Sequence, residues 1–127
     1  MEGVERFVQL YKAGEPIFCE GDIGKDMFVV LSGCVKIVRQ LSGEGTQLLA
    51  ELAEGEMFGE MALVAEGRRF ATALAGDAGA QVVRIDQARF VYLVSQQPAF
   101  ALSVIRTMAQ RLANAGNQAA QASLEVV

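Results

Sequence analysis

Glu60 and Arg69 are the side chains of this sequence best equipped for recognition chemistry, and their neighbours suggest its kind. They lie in Phe58-Gly59-Glu60-Met61-Ala62-Leu63 and, six residues after Leu63, in Arg69-Phe70-Ala71-Thr72. Gly59 permits a tight backbone turn, and Glu60 to Val64 read as one short helical turn. The start of such a turn presents unpaired N–H groups and a partial positive charge, which suits a phosphate. Arg69 adds a planar, permanently charged donor fork that matches phosphate oxygens. Glu60, ionised at neutral pH, only accepts hydrogen bonds and so suits a sugar hydroxyl. A carboxylate beside an anionic ligand would repel it unless such a hydroxyl stood there. The pattern points to a phosphate and a ribose side by side.

Short strands must position these groups. Between Pro16 and Ile85 the apolar runs Met27–Leu31, Cys34–Val38, Gln47–Leu52 and Gln81–Ile85 are too short for helices and rich in Val, Ile and Leu. Glycines at 21, 24, 33, 43, 45, 55, 67, 76 and 79 read as turns between them, which predicts a small barrel or sandwich. Ser42-Gly43-Glu44-Gly45 reads as a hairpin tip. A short helix is predicted over Val4 to Leu10, with Phe7 and Leu10 on one side. After Ile85 the period lengthens. Asp86 caps a helix through Ser95 that carries Phe90, Leu93 and Val94 on one face, and Pro98 opens another. In this last helix Ala101, Ile105, Met108, Leu112, Ala115, Ala119 and Ala122 form a weak heptad seam, with a fray point at Gly116.

Phe-Gly-Glu-Met-Ala-Leu with its following Arg-x-Ala-Thr resembles the phosphate-binding cassette of the cyclic nucleotide-binding domain. That family includes bacterial catabolite activator proteins, cyclic-nucleotide-gated channels and kinase regulatory subunits. Gly14-Glu15-Pro16-Ile17-Phe18-Cys19-Glu20-Gly21-Asp22 and Met27-Phe28-Val29-Val30-Leu31-Ser32-Gly33 are similar to the first strands of the same domain. The likeness covers about residues 5 to 116, and two blocks in the right order make it specific. It implies a mainly β fold: a β-roll with a short N-terminal helix, a one-turn cassette helix and two C-terminal helices. It also implies a phosphate and ribose site at Phe58, Gly59, Glu60, Met61, Ala62, Leu63, Arg69, Phe70, Ala71 and Thr72. Arg68 stands where the family usually has proline and reads as a solvated charge. Thr72 reads equally well as an ordinary strand residue.

Ile37, Leu49 and Leu52 align with the family's sugar and base pocket, although taken alone they read as core. Phe70 stands where the family usually has alanine, serine or threonine. The threonine variant is associated with guanine, so the ligand expected here is cAMP, with cGMP as the other candidate. The Phe70 ring is also able to narrow the pocket or stack on a purine. Catabolite activators present adjacent hydroxyls to the adenine where this chain has Ala115-Gly116. Asn114 and Asn117 flank that pair and are the candidates to replace them.

Composition narrows the function further. With 127 residues, 52% of them hydrophobic, the chain suits one compact domain, expected over residues 1–117 with a tail at 118–127. A net charge of −4 argues against a general DNA-binding surface. The absence of histidine removes the commonest general base and His-based zinc sites, so no enzyme, metal or cofactor is expected. No apolar run is long enough to span a bilayer. No signal-peptide pattern is present, and Cys19 and Cys34 read as reduced thiols, so the expected location is the cytoplasm. The expectation is a stand-alone regulatory module that binds a cyclic purine mononucleotide. It would signal to an effector protein by closing its last helix, with a weak homodimer through that helix. The alternatives are a ligand-free docking or dimerisation domain and the sensor part of a catabolite-activator-type regulator.

Overall fold

Alternation along one long strand divides the protein into two apolar layers. In β4 (Met27–Gln40), Phe28 and Val30 point into the interior of the roll, where they meet Val35, Ile37, Leu52, Phe58, Ala73 and Val82. Met27 and Val29, one residue out of phase, point to the opposite face and meet Ile85, Leu63, Phe90, Phe100, Val104 and Met108. Successive strand side chains point to opposite faces, so one strand serves both layers. The computed structural model describes residues 7–64 and 67–119.

The sheet is antiparallel throughout. β8 (Thr72–Ile85) pairs with β4 along most of its length, and β5 (Thr46–Leu52) adds to the other side of β4. β1 (Val8–Tyr11) and β2 (Pro16–Phe18) both pair with β8, and β6 (Met57–Phe58) pairs with β4. A separate two-stranded ribbon joins β3 (Ile23–Gly24) to β7 (Gly67–Arg68). The helices are α1 (Met61–Val64), α2 (Gln87–Gln96) and α3 (Ala99–Ala119). This is the mainly β roll with C-terminal helices that the sequence implied.

Several local expectations hold. The Ser42–Gly45 tip joins β4 to β5, with Leu41 N–H donating to the Gly45 carbonyl at 3.2 Å. Asp86 caps α2 through a 2.8 Å bond from the Arg89 N–H to its Oδ1. Three others are corrected. The helix expected over Val4 to Leu10 is a strand from Val8 onward, because the edge of β8 offers unpaired partners there: Val8 pairs with Val83 and Leu10 with Gln81. Residues 4–6 lie outside the described residues. Gly24, Gly33, Gly67, Gly76 and Gly79 are not turns but lie inside strands, Gly24 in β3, Gly67 in β7 and the others in β4 and β8 close to shifts in register. The runs Met27–Leu31 and Cys34–Val38 therefore belong to one strand. Finally, the fray point expected at Gly116 lies inside α3, which extends to Ala119, and residues 120–127 are outside the described residues.

Candidate functional site

The cassette is built where β6 ends and α1 begins. Gly59 adopts φ +74°, a left-handed conformation that reverses the chain at once after Phe58. Phe58 is sunk into the core and stacked on Phe28 with ring centroids 5.1 Å apart. From this anchor Glu60 turns inward and is only 1% exposed. The β3–β7 ribbon brings up the other half. Arg69 N–H donates to the Asp22 carbonyl at 2.7 Å, and the Arg69 carbonyl accepts from Gly21 N–H at 2.9 Å. A cavity of about 50 Å³ lies between the two halves. Gly59, Glu60, Met61, Ala62, Arg69 and Phe70 line it, with Phe18, Ile37, Phe58, Gly67, Arg68 and Ala71 completing the wall.

Two buried opposite charges dominate this cavity. Burial pushes the Glu60 carboxyl up from the usual range, while the Arg111 charge and then the nearby N–H groups of Glu60 and Met61 pull it back down. Arg111 comes from α3: it donates through Nη1 to Glu60 Oε1 and through Nη2 to the Met57 carbonyl. Arg69 is 9% exposed, and burial lowers its pKa against the opposing charges of Asp26, Asp22 and Glu60. Its Nη2 donates to the Asp26 carbonyl at 2.8 Å and its Nη1 to the Gly59 carbonyl at 3.2 Å. The guanidinium lies 4.2 Å from the centre of the Phe18 ring, and Nε is buried with no hydrogen-bond partner.

The structure therefore brings together Phe58, Gly59, Glu60, Met61, Ala62, Arg69, Phe70, Ala71 and Ile37 from the expected set. Others go elsewhere. Leu63 faces the layer beneath the helices, against Met27, Ile85 and Val104. Thr72 Oγ1 accepts a 2.8 Å bond from the Glu20 N–H and so ties the turn after β2 to the start of β8. Leu49 and Leu52 belong to the interior of the roll and do not line the cavity. Asn114 is exposed on α3, and the Asn117 side chain lies outside the described residues. The start of α1 is also less free than expected, since Ala62 N–H and Leu63 N–H already donate to the Gly59 and Glu60 carbonyls.

Sequence reasoning missed Arg111. Of the expected α3 seam, Ile105 and Leu112 are 58% and 68% exposed and do not cover the pocket, while Met108 faces the sheet with Phe100 and Val104. Arg111 continues that inward stripe, seven residues after Val104 and three after Met108. A cation in line with an inward apolar stripe was the available signal, and it asks for a buried anion opposite.

The geometry has counterparts. A family model described as the cyclic nucleotide-binding domain matches residues 8–97. The chain is 36% identical over 107 residues to a cyclic AMP receptor protein of Thermus thermophilus, covering 84% of this chain and 49% of that protein. A cGMP-dependent protein kinase of Caenorhabditis elegans is 35% identical over 85 residues, 66% of this chain and 11% of the kinase. Among solved structures, the Thermus thermophilus catabolite activator protein superposes with a TM-score of 0.81 at 33% identity, covering 90% of this chain and 53% of that one. The chain spans about half the length of the bacterial regulators it matches.

Proposed function

Since this chain belongs to the cyclic nucleotide-binding domain family, we propose that it is a sensor module for a cyclic purine mononucleotide, cAMP in preference to cGMP. Arg69 takes the phosphate and Glu60 the ribose hydroxyl. The observation that carries this reading is the double engagement of Glu60, which lines the cavity and holds Arg111 of α3. A ribose hydroxyl donating to this carboxylate shares it with Arg111, which holds only Oε1, so occupancy acts on the anchor of α3. The cavity volume supports such coupling. At about 50 Å³ it is well below the roughly 300 Å³ at which small-molecule pockets begin, so the ligand must open the site to enter.

The preference for cAMP rests on Phe70, which offers no hydroxyl to a guanine edge. The module is a binding protein with no reaction of its own: the cavity holds one carboxylate and one buried arginine, with neither histidine nor a nucleophile beside them. It works in the cytoplasm, and its output goes to an effector protein. Among the described residues no helix is long and apolar enough to cross a membrane. Leu102, Ile105 and Leu112 are exposed on α3, the second three residues after the first and the third seven after the second. That seam suits weak pairing with a second copy. The small cavity also favours one rival, a docking domain that takes no ligand.

Calorimetric titration with cAMP, cGMP and 2′-deoxy-cAMP separates these readings. Arg69→Ala is expected to cost about 2–5 kcal/mol of binding, and Arg69→Lys to rescue only part of it, because a point charge cannot replace the fork. Near-wild-type affinity in the alanine variant refutes the phosphate role. Equal binding of the deoxy ligand refutes the Glu60 role, and no binding of any ligand leaves the docking domain.

A further inference from the structure

We infer that Phe18 is a positioning residue of the anion site: its ring holds the Arg69 guanidinium in place of a carboxylate partner and leaves the charge for the ligand. The inference rests on the reading of Arg69 as the phosphate ligand. An arginine buried as deeply as this one, 9% exposed, is ordinarily paired with an acid. Arg69 has no carboxylate within ion-pair distance among the described residues. The carboxylates of Asp26, Asp22 and Glu60 act on its charge without bonding to it. Its hydrogen bonds go to the neutral carbonyls of Asp26 and Gly59, and Nε has no partner. A carboxylate in contact would cancel the cation, and an incoming phosphate would first have to displace it.

An aromatic ring does the holding instead. Phe18 ends β2 and lines the cavity. The guanidinium carbon lies 4.2 Å from the centre of its ring. The ring is itself set by Phe28 and Phe58, with centroids 5.8 and 5.9 Å away. An aromatic face attracts a cation through its quadrupole, so it fixes the guanidinium without adding a negative charge to it. Two glycines shape the rest of the seat. A Cβ added to Gly24 would fall over the face of the guanidinium, 2.1 Å from Nε, 2.4 Å from Cζ and 2.5 Å from Nη2. A Cβ added to Gly59 would fall 2.8 Å from Nη1 and 3.5 Å from the Phe18 ring.

Removing the aromatic face opens the guanidinium to capture. Asp26 and Asp22, whose charges already reach it, then compete for the side chain. An arginine paired to either is not available to a phosphate, and affinity falls in proportion to the fraction so captured. A desolvated cation–π contact shifts such a population severalfold. Phe18→Leu keeps an apolar side chain against Phe28 and Phe58 but offers no π face, whereas Phe18→Tyr keeps the ring.

The experiment has two arms. In calorimetric titration with cAMP, Phe18→Leu is expected to bind about fivefold more weakly than wild type and Phe18→Tyr within about twofold of it. The leucine change is then repeated in the Arg69→Lys background, where an ammonium cannot stack flat on the ring and the loss should shrink. Unchanged binding in Phe18→Leu overturns the inference. An equal loss in both backgrounds also overturns it, because Phe18 would then act through the fold and not through Arg69. In ¹⁵N spectra of arginine side chains, ligand-free wild type should show an Arg69 Nε–H that exchanges slowly and is shifted by the ring, a signature that Phe18→Leu removes. An unshifted wild-type Nε–H overturns the seat, even if Phe18→Leu fails to fold. A shifted Nε–H in a protein that binds no cyclic nucleotide upholds the seat and defeats the phosphate reading instead.

Discussion

Arg111→Met tests the link between the cavity and α3. The substitution keeps an aliphatic stem of similar reach but leaves the Glu60 carboxylate, 1% exposed, without its cation and the Met57 carbonyl without its donor. Removing one partner of a buried pair typically costs about 3–5 kcal/mol. Glu60 has an escape, because it can take a proton. From its ordinary value of 4.5, protonation at pH 7 costs about 1.4 kcal/mol per pH unit, so the charge penalty is capped near 3.4 kcal/mol. Wild type already bears part of this, since burial holds Glu60 above 4.5. The expected loss at pH 7 is therefore about 2–3 kcal/mol.

The sign with pH follows from the same linkage. A carboxyl whose folded pKa is raised contributes stability that is fully present below 4.5 and is lost as pH rises through the folded value. Removing Arg111 raises that value further and widens the window. At pH 5 the cap falls to about 0.7 kcal/mol, so the variant should lie within about 1 kcal/mol of wild type. Urea denaturation of both proteins at pH 5 and pH 7 gives the four midpoints. Equal losses at the two pH values refute the argument, because they would mean that Arg111 acts through packing and not through a buried Glu60 charge.

Phe70 is 54% exposed at the mouth of the cavity, so replacing it should leave the fold intact. Phe70→Thr is expected to shift the cGMP-to-cAMP affinity ratio towards cGMP by up to about tenfold; a wild-type preference for cGMP contradicts the argument from this position. If nucleotide binding acts on α3, amide exchange over residues 105–117 should change on adding ligand while the β4–β5 hairpin changes little; slowing is the expected direction. Identical exchange with and without ligand makes α3 static. Ile105→Glu should lower any dimer fraction seen in sedimentation at high concentration without altering the monomer's unfolding midpoint. A dimer that survives the change does not use this seam.

The local conformation of the cassette was legible from sequence. Gly59, Glu60 and Arg69 sit in a short pattern whose conformational needs are local: a left-handed glycine, one helical turn and a small ribbon. The strands were legible as apolar runs, and the two C-terminal helices as a change of period with Asp86 and Pro98 at their starts. What lay beyond the sequence was every choice made across the fold. Val8 to Leu10 have no strong local preference, and the open edge of β8 drew them into a strand. α3 is apolar on two sides, with Val104 on one and Ile105 on the other. Packing against Met27 and Ile85 chose Val104 and turned Ile105 outward.

The same choice brought Arg111 to Glu60 across a sequence separation of 51 residues, and the pairing of β3 with β7 brought Gly24 to the guanidinium of Arg69. Both are matters of distance in space. A charge reports its own type in the sequence, but which opposite charge it meets, and whether water is excluded when they meet, is decided only when strands and helices close on one another.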